Sequence, residues 1–209
     1  MLSNFEKQSY WHARFAHEEN FEWLVPSATF TALIEPYLAA AGAAARILHL
    51  GIGTSDLHIA LRRRGFERVA NVDYEPLALE RGRRLEEQVL GDVRMGYLAA
   101  DVTGGGDDSA GEGKAYYDLA IDKCTADAVA CGGNDAVLAM AENVRRCLSD
   151  SGVWISLSYS ASRYDLDGGD FKGALPFEVE VIGKIPTPKQ RVTDPDVFYW
   201  CYLLRPKRL

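Results

Sequence analysis

The stretch Leu48-His49-Leu50-Gly51-Ile52-Gly53-Thr54-Ser55-Asp56-Leu57 decides the fold. It opens on the end of an apolar run, residues 46–50, that reads as a short buried strand. It closes on the start of a helix over 55–64, in which Leu57 and Leu61 share a face and Gly65 provides the stop. Two glycines between a strand and a helix let the backbone turn sharply and come close to a ligand. In an open α/β sheet, ligands bind at the carboxyl ends of the strands, where this turn lies. A dinucleotide loop would carry a third glycine at position 56, beneath a pyrophosphate. Asp56 stands there instead, and its carboxylate opposes a pyrophosphate. No Gly-Lys-Ser/Thr follows, so a Walker loop is excluded.

The alternation continues outward from this turn. Residues 68–73, 93–98, 117–122 and 153–159 read as further strands. Residues 75–89 and 135–148 read as helices, the first with Pro76 in its opening turn, where a missing N–H costs little. Apolar strands alternating with helices specify a parallel sheet covered on both faces. The tail breaks the pattern: 177–184 alternates, 197–204 is strongly β-prone, and IPTPKQRVTDPD (185–196) between them holds no helix. Two strands joined without a crossover helix pair antiparallel, so a hairpin is expected at one edge of the sheet. Ahead of the sheet, Phe5, Tyr10, Trp11, Phe15, Phe21 and Trp23 mark a helix and a packed turn, and 28–41 a second helical stretch ending near Gly42. The glycine-rich acidic segment 103–114 reads as a flexible loop.

Two acids give the glycine turn a chemical meaning. Asp73 ends the second strand, twenty residues after Gly53, the place of an acid that hydrogen-bonds ribose hydroxyls. Asp101-Val102 closes the third strand, beside the position of an adenine ring. Together with Gly51-x-Gly53 they describe a nucleoside site without a pyrophosphate, which S-adenosylmethionine fits and NAD does not. In the alternative reading the glycines only make a tight turn and Asp73 caps the next helix.

Composition bounds the remaining possibilities. The 209 residues suffice for one sizeable core, and a 47% hydrophobic content excludes a mostly disordered chain. Thirty acidic against 23 basic residues give a net charge of −7, which argues against nonspecific binding to nucleic acid or an anionic membrane. The N-terminus shows no apolar core of a secretory signal, and no stretch supplies the roughly 20 apolar residues of a membrane span. Cys124, Cys131, Cys147 and Cys201 form no CxxC pair, and His12, His17, His49 and His58 form no HExxH pattern. The expectation is a cytoplasmic monomer with reduced thiols and no metal.

Three blocks of sequence resemble a known family. The first is Tyr10-Trp11-His12-Ala13-Arg14-Phe15 with Phe21-Glu22-Trp23, similar to YWxxRY…[FY][DE]W. The second is residues 47–57 followed by Asn71-Val72-Asp73-Tyr74, similar to ILxLGCGNSxL and the acid after it. The third is residues 118–128, DLAIDKCTADA, similar to DxxxDKGTLDA. The chain thus resembles the class I S-adenosylmethionine-dependent methyltransferases, and among them the eukaryotic group that methylates lysines of elongation factor 1-alpha. Ile52, Thr54, Cys124 and Ala126 depart from the family pattern beside the cofactor and the transfer face.

The resemblance implies a Rossmann-like seven-stranded sheet over 1–209, mostly parallel with an antiparallel C-terminal hairpin and helices on both faces. Residues 1–42 would form a helical lid, 43–160 the cofactor core, and 161–209 the hairpin and substrate-side loops. It implies that Arg14 meets the cofactor's carboxylate, that Trp11, Phe15 and Trp23 wall the pocket, and that Asp73 holds the ribose with Tyr74 against the adenine. Asp101 and Val102 would line the adenine, and Asp122-Lys123 would end strand four beside the methyl group, with Asp122 as the candidate general base.

The implied acceptor is a protein lysine amine. A small-molecule N-, O- or S-methyltransferase is the alternative within the enzymes, and a non-catalytic binding module with this fold is the alternative outside them. No Asn-Pro-Pro-Tyr/Phe motif follows strand four, so nothing supports methylation of amides or of nucleic-acid amines.

Overall fold

Strand β1, Ile47–Leu50, is buried at every position, because layers of side chains cover both of its faces. The computed structural model describes residues 4–104, 117–165, 175–189 and 191–208. Strands β2 (Val69–Asp73), β3 (Gly96–Ala99), β4 (Tyr117–Lys123) and β5 (Leu148–Ser158) join β1 in parallel, in the order β3-β2-β1-β4-β5. β6 (Phe177–Pro186) and β7 (Phe198–Pro206) complete a seven-stranded sheet. β7 runs antiparallel to β5 and β6, so β6 is the outer strand. The expected hairpin therefore sits at one edge with its later strand turned inward.

Helices α1 (Gln8–Phe15), α2 (Ser27–Leu33), α3 (Glu35–Ala41), α4 (Leu57–Arg63), α5 (Pro76–Leu90), α6 (Thr125–Val129) and α7 (Asn134–Cys147) surround the sheet. Two apolar layers hold them to it. In one, Phe30, Ile34, Leu38, Leu57 and Leu61 pack on Ile47, Ile121, Ile155 and Leu203. In the other, Val137, Met140, Ala141 and Val144 pack on Leu48, Ala120, Trp154 and Leu204. Helix α5 starts where the Glu75 side chain accepts the Leu77 N–H at 3.3 Å, and it ends at Gly91 in the left-handed conformation.

Two local features differ from the sequence expectation. The single helix expected over 28–41 is two, α2 and α3, broken at Ile34. Pro36 explains the break: it has no N–H to donate, and its ring crowds the preceding turn. The short helix α6 was not expected. It follows Cys124, whose φ of 74° turns the chain sharply at the end of β4. The glycine-rich segment lies outside the described residues from 105 onward. Among the described residues, no helix is long and apolar enough to cross a membrane.

Candidate active site

A cavity of about 430 Å³ opens at the carboxyl ends of β1, β2 and β4, where the topology places ligand sites. Its floor is the glycine turn. Gly51 has φ +65°, and a Cβ there would lie 2.2 Å from the Thr125 hydroxyl oxygen. That hydroxyl donates to the Leu50 carbonyl at 2.8 Å, which leaves no room for a side chain at 51. Gly53 has φ +52° and gives its N–H to Asp73 Oδ2 at 3.0 Å. Asp73 Oδ1 accepts the Glu75 N–H at 3.0 Å. The carboxylate thus braces the turn against the end of β2. Burial pushes the Asp73 carboxyl up to about 6. Tyr74, Asp101 and Val102 continue this end of the cavity.

An aromatic wall faces the floor. Phe5, Trp11, Phe15 and Trp23 line it, with ring centroids 5.4 Å apart for Trp11–Phe15 and 6.0 Å for Trp11–Trp23. Carboxylates fasten this segment to the core. Glu18 accepts the Thr54 hydroxyl at 2.7 Å. Glu22 accepts the Ser55 and Ser27 hydroxyls, the Asp56 N–H and the Lys123 ammonium. Lys123 also donates to the Trp23 carbonyl at 2.9 Å.

The opposite end of the cavity is built from the loops after β4 and β5. Asp127 is its polar centre. Its Oδ1 accepts from Arg163 Nε at 2.9 Å, Arg163 Nη2 at 2.7 Å and the Ser158 hydroxyl at 2.5 Å, and its Oδ2 accepts the Tyr159 N–H at 2.8 Å. Cys124, Val129, Tyr159 and Arg163 line the cavity around it. The non-glycine residues with positive φ among those described are Leu24 (64°) and Cys124 (74°), and both line this cavity. Such conformations cost free energy and collect at functional sites.

The chain is 56% identical to methyltransferase srdJ of Neurospora crassa over 207 residues, 99% of this chain and 86% of that protein. The chain belongs to the class I S-adenosylmethionine-dependent methyltransferases. It is also 30% identical to mouse EEF1A lysine methyltransferase 4 over 186 residues, 77% of this chain and 68% of that one. Its fold matches the magnesium protoporphyrin IX methyltransferase of Synechocystis, solved with bound SAM, with a TM-score of 0.66 over 98% of both chains at 13% identity. No protein-family model matches the chain.

Against this methyltransferase frame the residues singled out from sequence divide clearly. Trp11, Phe15, Trp23, Gly51, Gly53, Asp73, Tyr74, Asp101, Val102 and Lys123 all line the cavity. Arg14 and Asp122 do not. The Arg14 guanidinium is held by Glu18 at 2.6 Å and Tyr10 at 3.2 Å, and lies over the rings of Phe21 and Trp23 at 4.9 and 4.6 Å. It stiffens the aromatic wall from behind.

Asp122 is fully buried beneath the floor. Its Oδ1 accepts the Ala126 N–H at 3.1 Å and its Oδ2 the Trp154 indole N–H at 2.8 Å, while burial pushes its carboxyl up to about 6. It ties the β4 turn to the sheet and does not line the cavity. Arg163 and Tyr159 carry no motif; Asp127 lay inside the 118–128 block, yet only the fold brings it to Arg163. Glu22 lay inside the Phe21-Glu22-Trp23 block, yet only the fold brings it to Lys123.

Proposed function

We propose that the chain transfers the methyl group of S-adenosylmethionine to a small, largely apolar molecule, at an atom that arrives already nucleophilic. The cavity's donor set supports the cofactor. The bare Gly51–Gly53 turn leaves room for close approach, and Asp73 retains acceptor capacity for ribose hydroxyls beyond its two backbone N–H bonds. Tyr74 and Val102 would flank the adenine, with Asp101 at its edge. When bound, the cofactor supplies an electrophilic methyl on a sulfonium. The chain's own contribution is to position the acceptor and exclude water, which the aromatic wall of Trp11, Phe15 and Trp23 would do.

The state of the carboxylates carries the acceptor reading. A lysine ammonium entering the cavity would need an acid to receive it and to take its proton. Asp127 is paired with Arg163 and also accepts the Ser158 hydroxyl and the Tyr159 N–H, and Asp101 Oδ1 holds both the N–H and the hydroxyl of Thr103. The Asp127 carboxylate, at the acceptor end, is thus already paired with a cation, which favours a neutral amine, a thiolate or an acidic phenol as the acceptor type. Apolar walls at Leu24, Val129 and Tyr159 suit a small organic molecule.

Protein lysine is the second reading. The 30% identity to the mouse lysine methyltransferase favours it, and so does Glu6, an exposed carboxylate on the cavity rim. A methylation assay with labelled cofactor against cell extract, separated into protein and small-molecule fractions, tests the two. Label confined to protein would overturn the small-molecule reading.

A further inference from the structure

Arg163 is an unusual group to find in the wall of a mostly apolar cavity. Its side chain is only 18% exposed, and Asp127 grips two of its three nitrogens. The third nitrogen, Nη1, has no hydrogen-bond partner among the described residues. The loop that delivers it is pinned from both sides. Tyr202 donates to the Ser160 carbonyl at 2.6 Å, Tyr164 donates to the Ser156 hydroxyl at 2.7 Å, and Asp165 N–H closes a turn on Ser162 at 3.1 Å. A guanidinium held this firmly has lost its rotamer freedom before any ligand arrives. Asp127 takes four donors, three of them on Oδ1, and Arg163, a lining residue of the cavity, keeps Nη1 as a donor without a partner among the described residues.

Beside it, Tyr159 lines the cavity while staying 59% exposed, with its ring centroid 6.2 Å from that of Tyr199. A large aromatic face left open at a cavity lip is a surface for another flat ring. Both groups lie at the β4–β5 end, away from Asp73 and Asp101, so they border the acceptor's half of the site.

We propose that this end is a subsite for an aromatic acid: Arg163 Nη1 meets a carboxylate or phenolate that is not the methylated atom, and Tyr159 packs on the ring. The proposal rests on the small-molecule reading above and names the substrate class for it. It also gives that reading a charge preference, because a guanidinium N–H bonds an anionic oxygen more strongly than a neutral one.

The test compares two probes, 4-hydroxybenzoate and 4-hydroxybenzyl alcohol, which share a ring and a phenol and differ in the carboxylate. Binding is titrated against protein saturated with S-adenosylhomocysteine. The acid should bind about tenfold or more tighter, the size of one charge-assisted hydrogen bond. Arg163→Met should erase that preference while leaving affinity for S-adenosylhomocysteine unchanged, and Tyr159→Ala should weaken both probes alike. If Arg163→Met loses the cofactor product, Arg163→Gln, which keeps a donor toward Asp127 without the charge, makes the same comparison. Equal binding of the two probes, no binding of either, or a preference surviving in the uncharged variants overturns the proposal. In the labelled-extract assay, methylated small molecules that pass through an anion exchanger would sink the Arg163 assignment alone, whereas label in protein would sink the reading beneath it.

Discussion

The Lys123 ammonium lies 2.8 Å from the Glu22 carboxylate, with the two side chains 3% and 22% exposed. This pair ties the end of β4 to the aromatic wall across a hundred residues of sequence. Burial works against ionisation of Glu22, but the Lys123 charge and the hydrogen bonds from Ser55 and Asp56 more than offset it and hold the carboxyl below its ordinary value.

Removing one partner of such a pair leaves the other charge buried and alone. Glu22→Ala should therefore cost about 3 kcal/mol, the lower end for a broken buried ion pair because Glu22 keeps some solvent. The denaturant midpoint reads this out. The double variant Glu22→Ala/Lys123→Met should recover part of the loss. A single variant as stable as the parent would mean the pair does nothing for the fold.

Cofactor affinity should depend on pH through Asp73. Folding raises its carboxyl from the ordinary 3.8 to about 6, so the folded chain holds this proton more tightly than the unfolded chain between those values. Its contribution to stability is present below pH 3.8 and lost as pH rises to about 6. Binding runs the other way, because the ionised carboxylate is the better acceptor for ribose hydroxyls. Calorimetry with S-adenosylhomocysteine should give constant affinity above pH 7 and progressive weakening below about 6. Asp73→Asn should flatten the profile. A parent profile already flat from pH 5 to 8 would count against Asp73 as the ribose ligand.

Asp73→Ala should do two things at once. It should weaken S-adenosylhomocysteine binding by about 1.5–3 kcal/mol, the worth of a hydrogen bond to a charged group. It should also lower the melting temperature of the ligand-free protein, because Gly53 and Glu75 lose their acceptor. Unchanged affinity together with lost stability would leave Asp73 as a brace only.

Asp122→Ala should be a stability variant. The buried Trp154 indole and the Ala126 N–H would lose their acceptor, at a cost of at least about 2 kcal/mol. Residual folded protein should keep its affinity for S-adenosylhomocysteine. A selective loss of methyl transfer with normal stability would return Asp122 to the chemistry.

Hydrogen exchange should divide the N-terminal segment in two. Helix α1 is held to the core by Gln8 on the Tyr74 carbonyl at 2.6 Å and by His12 on Glu75 at 3.1 Å, both near the surface, and buries only Phe15 of its own residues. Residues 22–25 are anchored by Glu22 and Val25. Adding S-adenosylhomocysteine should slow exchange in 8–16 and leave 22–25 as protected as before. Equal protection of 8–16 in both states would make α1 a static wall.

How far the sequence could be read follows from which residues act locally. Gly51, Gly53 and Asp73 stand on one turn and the strand beside it, so spacing along the chain carries their meaning. Leu57, Leu61 and the apolar strands show their periods in the same way. Arg14 could not be oriented from sequence, because an arginine on an aromatic helix says nothing about which side it faces; here Glu18 and Tyr10 hold it outside the cavity lining. Sequence named Asp122 and Lys123 together and could not separate them: successive strand residues face opposite sides of a sheet, and here Lys123 lines the cavity while Asp122 is buried beneath it. Asp127, on α6, and Arg163, after β5, stand 36 residues apart and meet only after β4 and β5 pair. Nothing local marks such a meeting.

The sheet order sets a condition on synthesis. β7 leaves the ribosome after both β5 and β6, yet it lies between them. Until it arrives, β5 presents an open edge from Trp154 to Ser158, and Phe177 to Pro186 has no strand to pair with. The nucleotide half of the molecule, β1 to β3 with α4 and α5, carries no such debt to the C-terminus and is free to form first. A nascent chain is therefore most exposed to edge-to-edge aggregation in the interval before residues 198–206 emerge. A deletion of that one strand would remove the neighbours of two others.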